Sequence, residues 1–325
     1  MGSRLLKLAF VVVAVGFGAY AIAVRWHDVH LALDRIGLLS CLWALLALLA
    51  MQFAALKVYQ ALLAGLGSPL SLRVSGGILF IGQLGKYVPG SLWPILAQME
   101  LGARAKVPRA RSASASVLAM LLSLVAGLIT AMVTLPFAAH SAAYYWVFAV
   151  LPVVLVCLHP KVLNRLLDKL FKLVKRPGLD EPVRGRVLAR ALAWAFTAWL
   201  FNGLQMWLLA ERFGAPAGRT MLLALGGYAF AWCVGFVVVI DPAGAGVREV
   251  LLIAALAPVI GSPAAVACAL VSRVLNTVTD LICAGAAAAG WRHQRRAEAR
   301  AVGKDQDPAP AEAVAPVPSA SDRNS

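Results

Sequence analysis

Apolar residues run along this chain in long blocks rather than in the alternating or one-sided patterns of a soluble core. A helix needs about 20 such residues to cross a bilayer. Blocks of that kind lie roughly at 5–24, 38–56 (extending to 66), 113–136, 144–160, 190–210, 221–240 and 264–290. Two more apolar stretches are interrupted. One, 76–98, contains Lys86, Pro89, Gly90 and Pro94. The other, 243–262, contains Gly244, Gly246, Arg248, Glu249 and Pro258. The pattern predicts an all-α polytopic membrane helix bundle with about 6–8 transmembrane helices. At the N-terminus, Arg4, Lys7, an apolar core and Ala21-Ile22-Ala23 share features with a cleavable signal. Nothing soluble follows them, so an uncleaved first helix is the simpler reading.

Composition agrees and removes alternatives. Of 325 residues, 61% are apolar and 14% are charged, against roughly a quarter charged in an ordinary soluble domain. So few charges do not cover a water-soluble globule of this length. The net charge is nevertheless +15. Nucleic-acid binding would need a basic face on a soluble domain, and no such domain is visible. Cys41, Cys157, Cys233, Cys268 and Cys283 lie in apolar runs without a CxxC pair, which reads as small core residues rather than a disulfide or metal framework. There is no Walker motif and no His pair with metalloenzyme spacing, so no cofactor is implied.

The basic residues orient the chain. Connections 102–111 and 161–190 and the tail from Arg292 are rich in Lys and Arg and should be cytoplasmic. Connections 25–37, 137–143 and 211–219 hold only Arg25, Arg35, Arg212 and Arg219, and should face outward. Both termini are then cytoplasmic, in a cytoplasmic (inner) membrane. On this parity 76–98 begins and ends inside, and with 23 residues it cannot cross twice. It reads as a re-entrant hairpin turning at Pro89-Gly90, a shape allowed only within protein or beside a water-filled cavity.

The second half repeats the first weakly. Gly76-Gly77, Pro89-Gly90, Glu100 and the helix from Ala113 have counterparts in Gly226-Gly227, Pro242-Ala243-Gly244, Glu249 and the helix from Ala264. Inverted repeats with broken helices are a transporter pattern. On that reading 222–260 is a second hairpin entering from outside. Two plain crossings at 221–240 and 243–262 satisfy parity equally. The organisation is then a transmembrane domain over 1–290, with a basic amphipathic loop at 161–190, and a basic, then disordered, tail over 291–325. Within the loop, 161–176 (KVLNRLLDKLFKLVKR) places its cations on one face and its leucines largely on the other, a tether to anionic lipid or a headgroup-recognising element.

All 30 basic residues but Lys86, Arg248 and Arg273 fall in connections or tails. Glu100, Asp241, Glu249 and Asp280 are the acidic residues in or bordering apolar segments. Each charge costs about 2.5–3.5 kcal/mol at a helix centre, so these residues should pair around a shared cavity. Lys86, Pro89 and Gly90 mark the first break, where a Lys beside exposed helix N-termini would cradle the phosphate of a lipid headgroup. Arg248 and Glu249 follow the second. Arg273, Asn276 and Asp280 share one face of the last helix. Tyr87 and Trp93 flank the first break, as packing or interface residues or as ligand contacts. The competing reading is an internal salt-bridge cluster that holds the repeats together. Ser112, Ser116, Ser123, Gly127 and Thr130 read as a close-packing stripe, and Asn202 with Gln205 as an interhelical hydrogen bond.

Gly82-Gln83-Leu84-Gly85-Lys86-Tyr87-Val88-Pro89-Gly90-Ser91-Leu92-Trp93 resembles the signature of the lysylphosphatidylglycerol synthase transmembrane-region family, flippase-like membrane proteins. Asp241-Pro-Ala-Gly-Ala-Gly-Val-Arg-Glu249 looks like its second, Pro/Gly-rich motif, with Ala243 and Ala245 where a Gly-richer run is common. The similarity spans most of 5–290. The family includes the membrane part of multiple peptide resistance factors, whose bifunctional members add a soluble aminoacyl-transferase domain that this sequence does not contain. The resemblance therefore implies translocation of an anionic phospholipid or polyprenyl-phosphate lipid rather than its synthesis. The alternatives are an integral-membrane transferase, with Glu249 or Asp280 as base, and an assembly partner of a lipid-synthesis enzyme or of itself.

Overall fold

A computed structural model describes residues 34–87, 93–139, 184–214, 216–237 and 246–305, with side chains as far as Trp291 in the last helix. The blocks at 5–24 and 144–160, the basic stretch 161–176, Pro89-Gly90, residues 241–245 and the tail from 306 lie outside the described residues.

Among the described residues eight α-helices follow in order: α1 (Leu38–Gly65), α2 (Leu72–Gln83), α3 (Trp93–Arg104), α4 (Arg109–Ala139), α5 (Gly185–Ala210), α6 (Ala217–Val237), α7 (Val247–Ile260) and α8 (Ser262–Asp305). A 3-10 turn, Leu84–Tyr87, extends α2. Five of these helices, α1, α4, α5, α6 and α8, are long and apolar enough to cross a membrane. The other three are not. α2 and α3 have 12 residues each and α7 has 14, about 18–21 Å at 1.5 Å per residue, against a hydrocarbon core of about 30 Å. The last helix runs past the apolar block into the basic stretch, ending at Asp305.

The short helices form where the chain supplies boundaries. Ser71 caps α2, its Oγ accepting from the Val74 N–H at 3.4 Å. Pro94 occupies the second position of α3, where a missing N–H leaves no helical bond unmade. Gly246, at φ +98°, turns the chain into α7 through a conformation that side-chain-bearing residues rarely adopt.

The two halves pack as mirror lists of one another. α1–α2–α3–α4 corresponds to α5–α6–α7–α8. α4 packs on α6 and α8 on α2; α3 lies against α2 and α4, as α7 lies against α6 and α8; α1 meets α8 as α5 meets α4. The extensive α1–α5 contact joins the halves. It is antiparallel, with Ser40 at the start of α1 bonded to Arg212 just beyond α5 (2.6 Å) and Gly65 at the end of α1 against Val187 at the start of α5. Corresponding helices therefore run in opposite directions, the arrangement of an inverted repeat. Both glycine pairs noted in the sequence sit at these joints. Gly77 lies against Trp291 of α8, and Gly226 against Thr134 and Leu135 of α4.

Tyr59, Leu62, Leu118, Leu122, Tyr228 and Leu256 are fully buried in the shared core, while Leu38, Val133 and Phe137 project outward at 86%, 59% and 73% exposure. Large apolar side chains on the outside suit a lipid solvent. The small-residue stripe on α4 serves packing. Ser112 bonds to Tyr59 and to the Gln98 carbonyl, Ser116 bonds to Gln98, and Gly127 leaves room for Trp199 and Cys233. Gln205 of α5 donates to Ser272 of α8 at 3.0 Å, the expected interhelical bond. Its neighbour Asn202 does not share it, and its buried Oδ1 has no partner.

Candidate functional site

α2 and α3 form a helical hairpin whose closeness depends on two glycines of the first motif. A β-carbon on Gly82 would run into the Gln98 side chain, and one on Gly85 would lie 2.8 Å from the Pro94 nitrogen. Both glycines thus exist so that α3 can return along α2. α2 also runs antiparallel to α8, with Gly77 at Trp291 and Tyr87 at Asp280. From Trp291 to Asp280 is about 17 Å along α8. The first broken arm therefore ends near the middle of the 30-residue segment Ser262–Trp291.

The second break arrives at the same depth from the opposite end. α7 leads back to Gly261 and lies antiparallel to α8, pairing Glu249 with Arg273. Arg273 is about 17 Å from the start of α8. Arg273, Asn276 and Asp280 span about 10 Å of one helical face, and each reaches a different broken element.

Asp280 is 5% exposed and gathers three partners. Lys86 Nζ lies 2.5 Å from its Oδ2, the Tyr87 hydroxyl donates to the same oxygen at 2.6 Å, and Gln52 Nε2 of α1 donates to Oδ1 at 2.7 Å. Lys86 also rests 5.4 Å from the Tyr87 ring centroid. A buried carboxylate is tolerable only with such pairing. Glu249 is equally engaged. Its Oε1 accepts from Arg273 at 2.9 Å, and its Oε2 accepts from the Gly246 N–H at 2.8 Å. The latter closes the first turn of α7 in the manner of a capping-box glutamate. Asn276 donates to the Tyr228 hydroxyl at 3.2 Å, and the Arg248 guanidinium lies 5.4 Å from the centroid of the Tyr228 ring. Arg273, Asn276 and Asp280, which hold the two clusters, share one face of α8, and this joins the clusters into one site.

The structure thus brings together Lys86, Tyr87, Arg248, Glu249, Arg273, Asn276 and Asp280. Trp93 opens α3 with its backbone against Gly85 and its side chain 44% exposed. Pro89 and Gly90 fall outside the described residues. Glu100 belongs elsewhere. Sequence analysis counted it among the charges around the cavity, but it is exposed and pairs with Arg109 at 3.1 Å and Arg104 at 3.8 Å. Its apolar neighbourhood in sequence hid that it sits near the C-terminal end of the short helix α3, next to the basic turn. Sequence reasoning missed Gln52 and Tyr228. Each is a hydrogen-bonding residue within an apolar run, and Tyr228 follows directly on Gly226-Gly227. Among the described residues no group of three His, Cys, Asp or Glu converges as a metal site would require.

A family model described as the lysylphosphatidylglycerol synthase TM region matches residues 4–284. The chain belongs to this family. The match takes in both helix-breaking motifs and all eight helices except the end of α8. Comparison with curated proteins finds no match. Family membership and the five candidate spans make the chain a multi-pass integral membrane protein. The family's first motif now has a physical content in this member. Its glycines close the α2–α3 hairpin, and its Lys-Tyr pair delivers a cation and a hydroxyl to Asp280.

Proposed function

We propose that this protein moves an anionic, phosphate-bearing lipid across the cytoplasmic membrane. On this reading the α2–α3 and α6–α7 hairpins are re-entrant, entering from the inner and outer faces. The observation that carries the proposal is the meeting of two broken arms on the middle of α8, where three cations, Lys86, Arg248 and Arg273, face two carboxylates, Asp280 and Glu249. The described cluster is positive by one charge, which suits an anionic headgroup. The acyl or prenyl tails would stay in the bilayer beside it. Charge placed at this depth is costly and marks substrate paths in membrane proteins. Both carboxylates already pair with cations, which serves charge balance better than proton abstraction, so the transferase alternative gains nothing from the geometry.

The test is transbilayer movement of labelled phosphatidylglycerol or polyprenyl phosphate in liposomes holding the purified protein. The expected result is acceleration over protein-free liposomes, lost when Arg248 is replaced by glutamine in protein that still unfolds cooperatively. No acceleration of either lipid would sink the proposal.

A further inference from the structure

The three cations of the site are not equivalent. Lys86 is held by Asp280 at 2.5 Å, and Arg273 by Glu249 at 2.9 Å. Among the described residues Arg248 has no such partner at hydrogen-bond distance. Its nearest carboxylate oxygen, Glu249 Oε1, is 3.8 Å away and already accepts from Arg273. Its Nε is buried with no acceptor among the described residues, and its side chain as a whole is 15% exposed. A buried guanidinium N–H left unpaired is costly, and an anion removes that cost. The group is also held in place for a ligand. The face of Tyr228 lies beneath it, and Asn276 fixes the Tyr228 hydroxyl. A planar guanidinium with open N–H groups matches two phosphate oxygens at once, which an ammonium does not.

We propose that Arg248 is the residue that takes the phosphate-bearing anion, and that Lys86 is a positioning residue whose charge serves Asp280. This rests on the reading of the site as an anion path, but not on movement of the lipid. Lys86, Tyr87 and Gln52 hold Asp280, and through it the end of α2 to α1 and α8. That leaves Arg248 as the open cation where the two arms meet.

The experiment is binding of labelled phosphatidylglycerol to the full chain in nanodiscs of zwitterionic lipid, with inorganic phosphate as a separate competitor. Arg248→Gln should weaken phosphatidylglycerol binding about tenfold or more, the loss of one charged hydrogen-bonding group. Its thermal stability should stay near that of the native protein, because Glu249 keeps Arg273 and Gly246. Arg248→Lys should bind between the two. The double variant Lys86→Gln/Asp280→Asn, which removes the pair without stranding a charge, should lose clearly less binding than Arg248→Gln, because neither of its side chains is the one that takes the phosphate. Competition by inorganic phosphate shows that the guanidinium reads the phosphate itself. Binding that depends on Arg248 yet resists inorganic phosphate shows that the lipid around the phosphate contributes; either result supports the assignment. Native-level binding by Arg248→Gln, an equal loss in the double variant, or no binding by the native protein would overturn it. Should Arg248→Gln fail to fold, Arg248→Lys carries the same comparison. A protein that binds through Arg248 but moves no lipid would refute the translocator and leave this assignment standing.

Discussion

Replacing Lys86 alone should harm the fold before it informs on function. Asp280 is buried, and its Oδ2 leans on Lys86 and Tyr87 together. Removing one partner of a fully buried ion pair typically costs about 3–5 kcal/mol, and less here because the Lys86 side chain is 39% exposed, while replacing both partners costs far less. Lys86→Gln should therefore lower the unfolding temperature in detergent markedly, and Lys86→Gln/Asp280→Asn should recover most of the loss. Equal melting of the single and double variants would show that the pair is not coupled. The same comparison separates the two readings that the sequence left open. A purely structural cluster predicts that the double variant keeps full activity, and so does Arg248→Gln. The ion-path reading predicts that Arg248→Gln fails at native stability.

At the scale of elements, the test lies in glycines that touch something and glycines that do not. Gly85 and the Pro94 backbone would collide through a β-carbon, at 2.8 Å, whereas Gly285 on α8 has nothing within 4 Å. Gly85→Ala should force α3 away from α2, a backbone clash that no rotamer relieves, and reduce folded yield or melting temperature. Gly285→Ala should be neutral or stabilising by about 0.5–1 kcal/mol, from helix propensity alone. Equal effects in the two variants would mean that hairpin closeness is not what the motif's glycines provide. Gly246→Ala probes the second hairpin. At φ +98° a side chain is strained by about 1–3 kcal/mol, so this variant should melt lower and loosen the Arg248–Glu249 end of α7.

These elements also show where sequence reasoning reaches and where it stops. Apolar block length gave α1, α4, α5, α6 and the apolar part of α8 within a few residues, because in lipid every backbone group must bond within the helix and the pattern has no rival; it did not show that α8 continues through the basic stretch to Asp305. The breaks were legible as well, since proline and glycine inside an apolar run have few other uses. Their pairing partners were not legible. Gln52 sits 228 positions from Asp280, and nothing local marks it beyond its polarity. Glu100 went the other way, because apolar neighbours in sequence made an exposed residue look intramembrane. Arg248 and Lys86 looked alike as lone cations beside breaks. Only the distances to Glu249 and Asp280 separate a cation in use from one still open.

On the scale of the whole molecule, charge and topology make one joint prediction about sidedness. The turn before α4 and the helix ends beside it carry Arg104, Lys106, Arg109 and Arg111, while the turns before α6 and α8 are poor in cations. Basic connections are retained in the cytoplasm. α1 and α5 run antiparallel, so their starts lie on opposite faces, and each hairpin would open toward the face on which its own half places it. In a background with the five native cysteines removed, Ala217→Cys before the body of α6 and Ser262→Cys at the start of α8 should react with a membrane-impermeant thiol reagent added outside intact cells. Pro108→Cys, in the turn between α3 and α4, should react only after the membrane is opened. All three positions are exposed, so differences in labelling report the side of the membrane rather than burial. If Pro108→Cys and Ser262→Cys label from the same side, the two hairpins do not open to opposite faces. Phosphate would then lack a path from one face to Arg248 and on to the other, and the translocator reading would lose its geometric basis even with Arg248 intact.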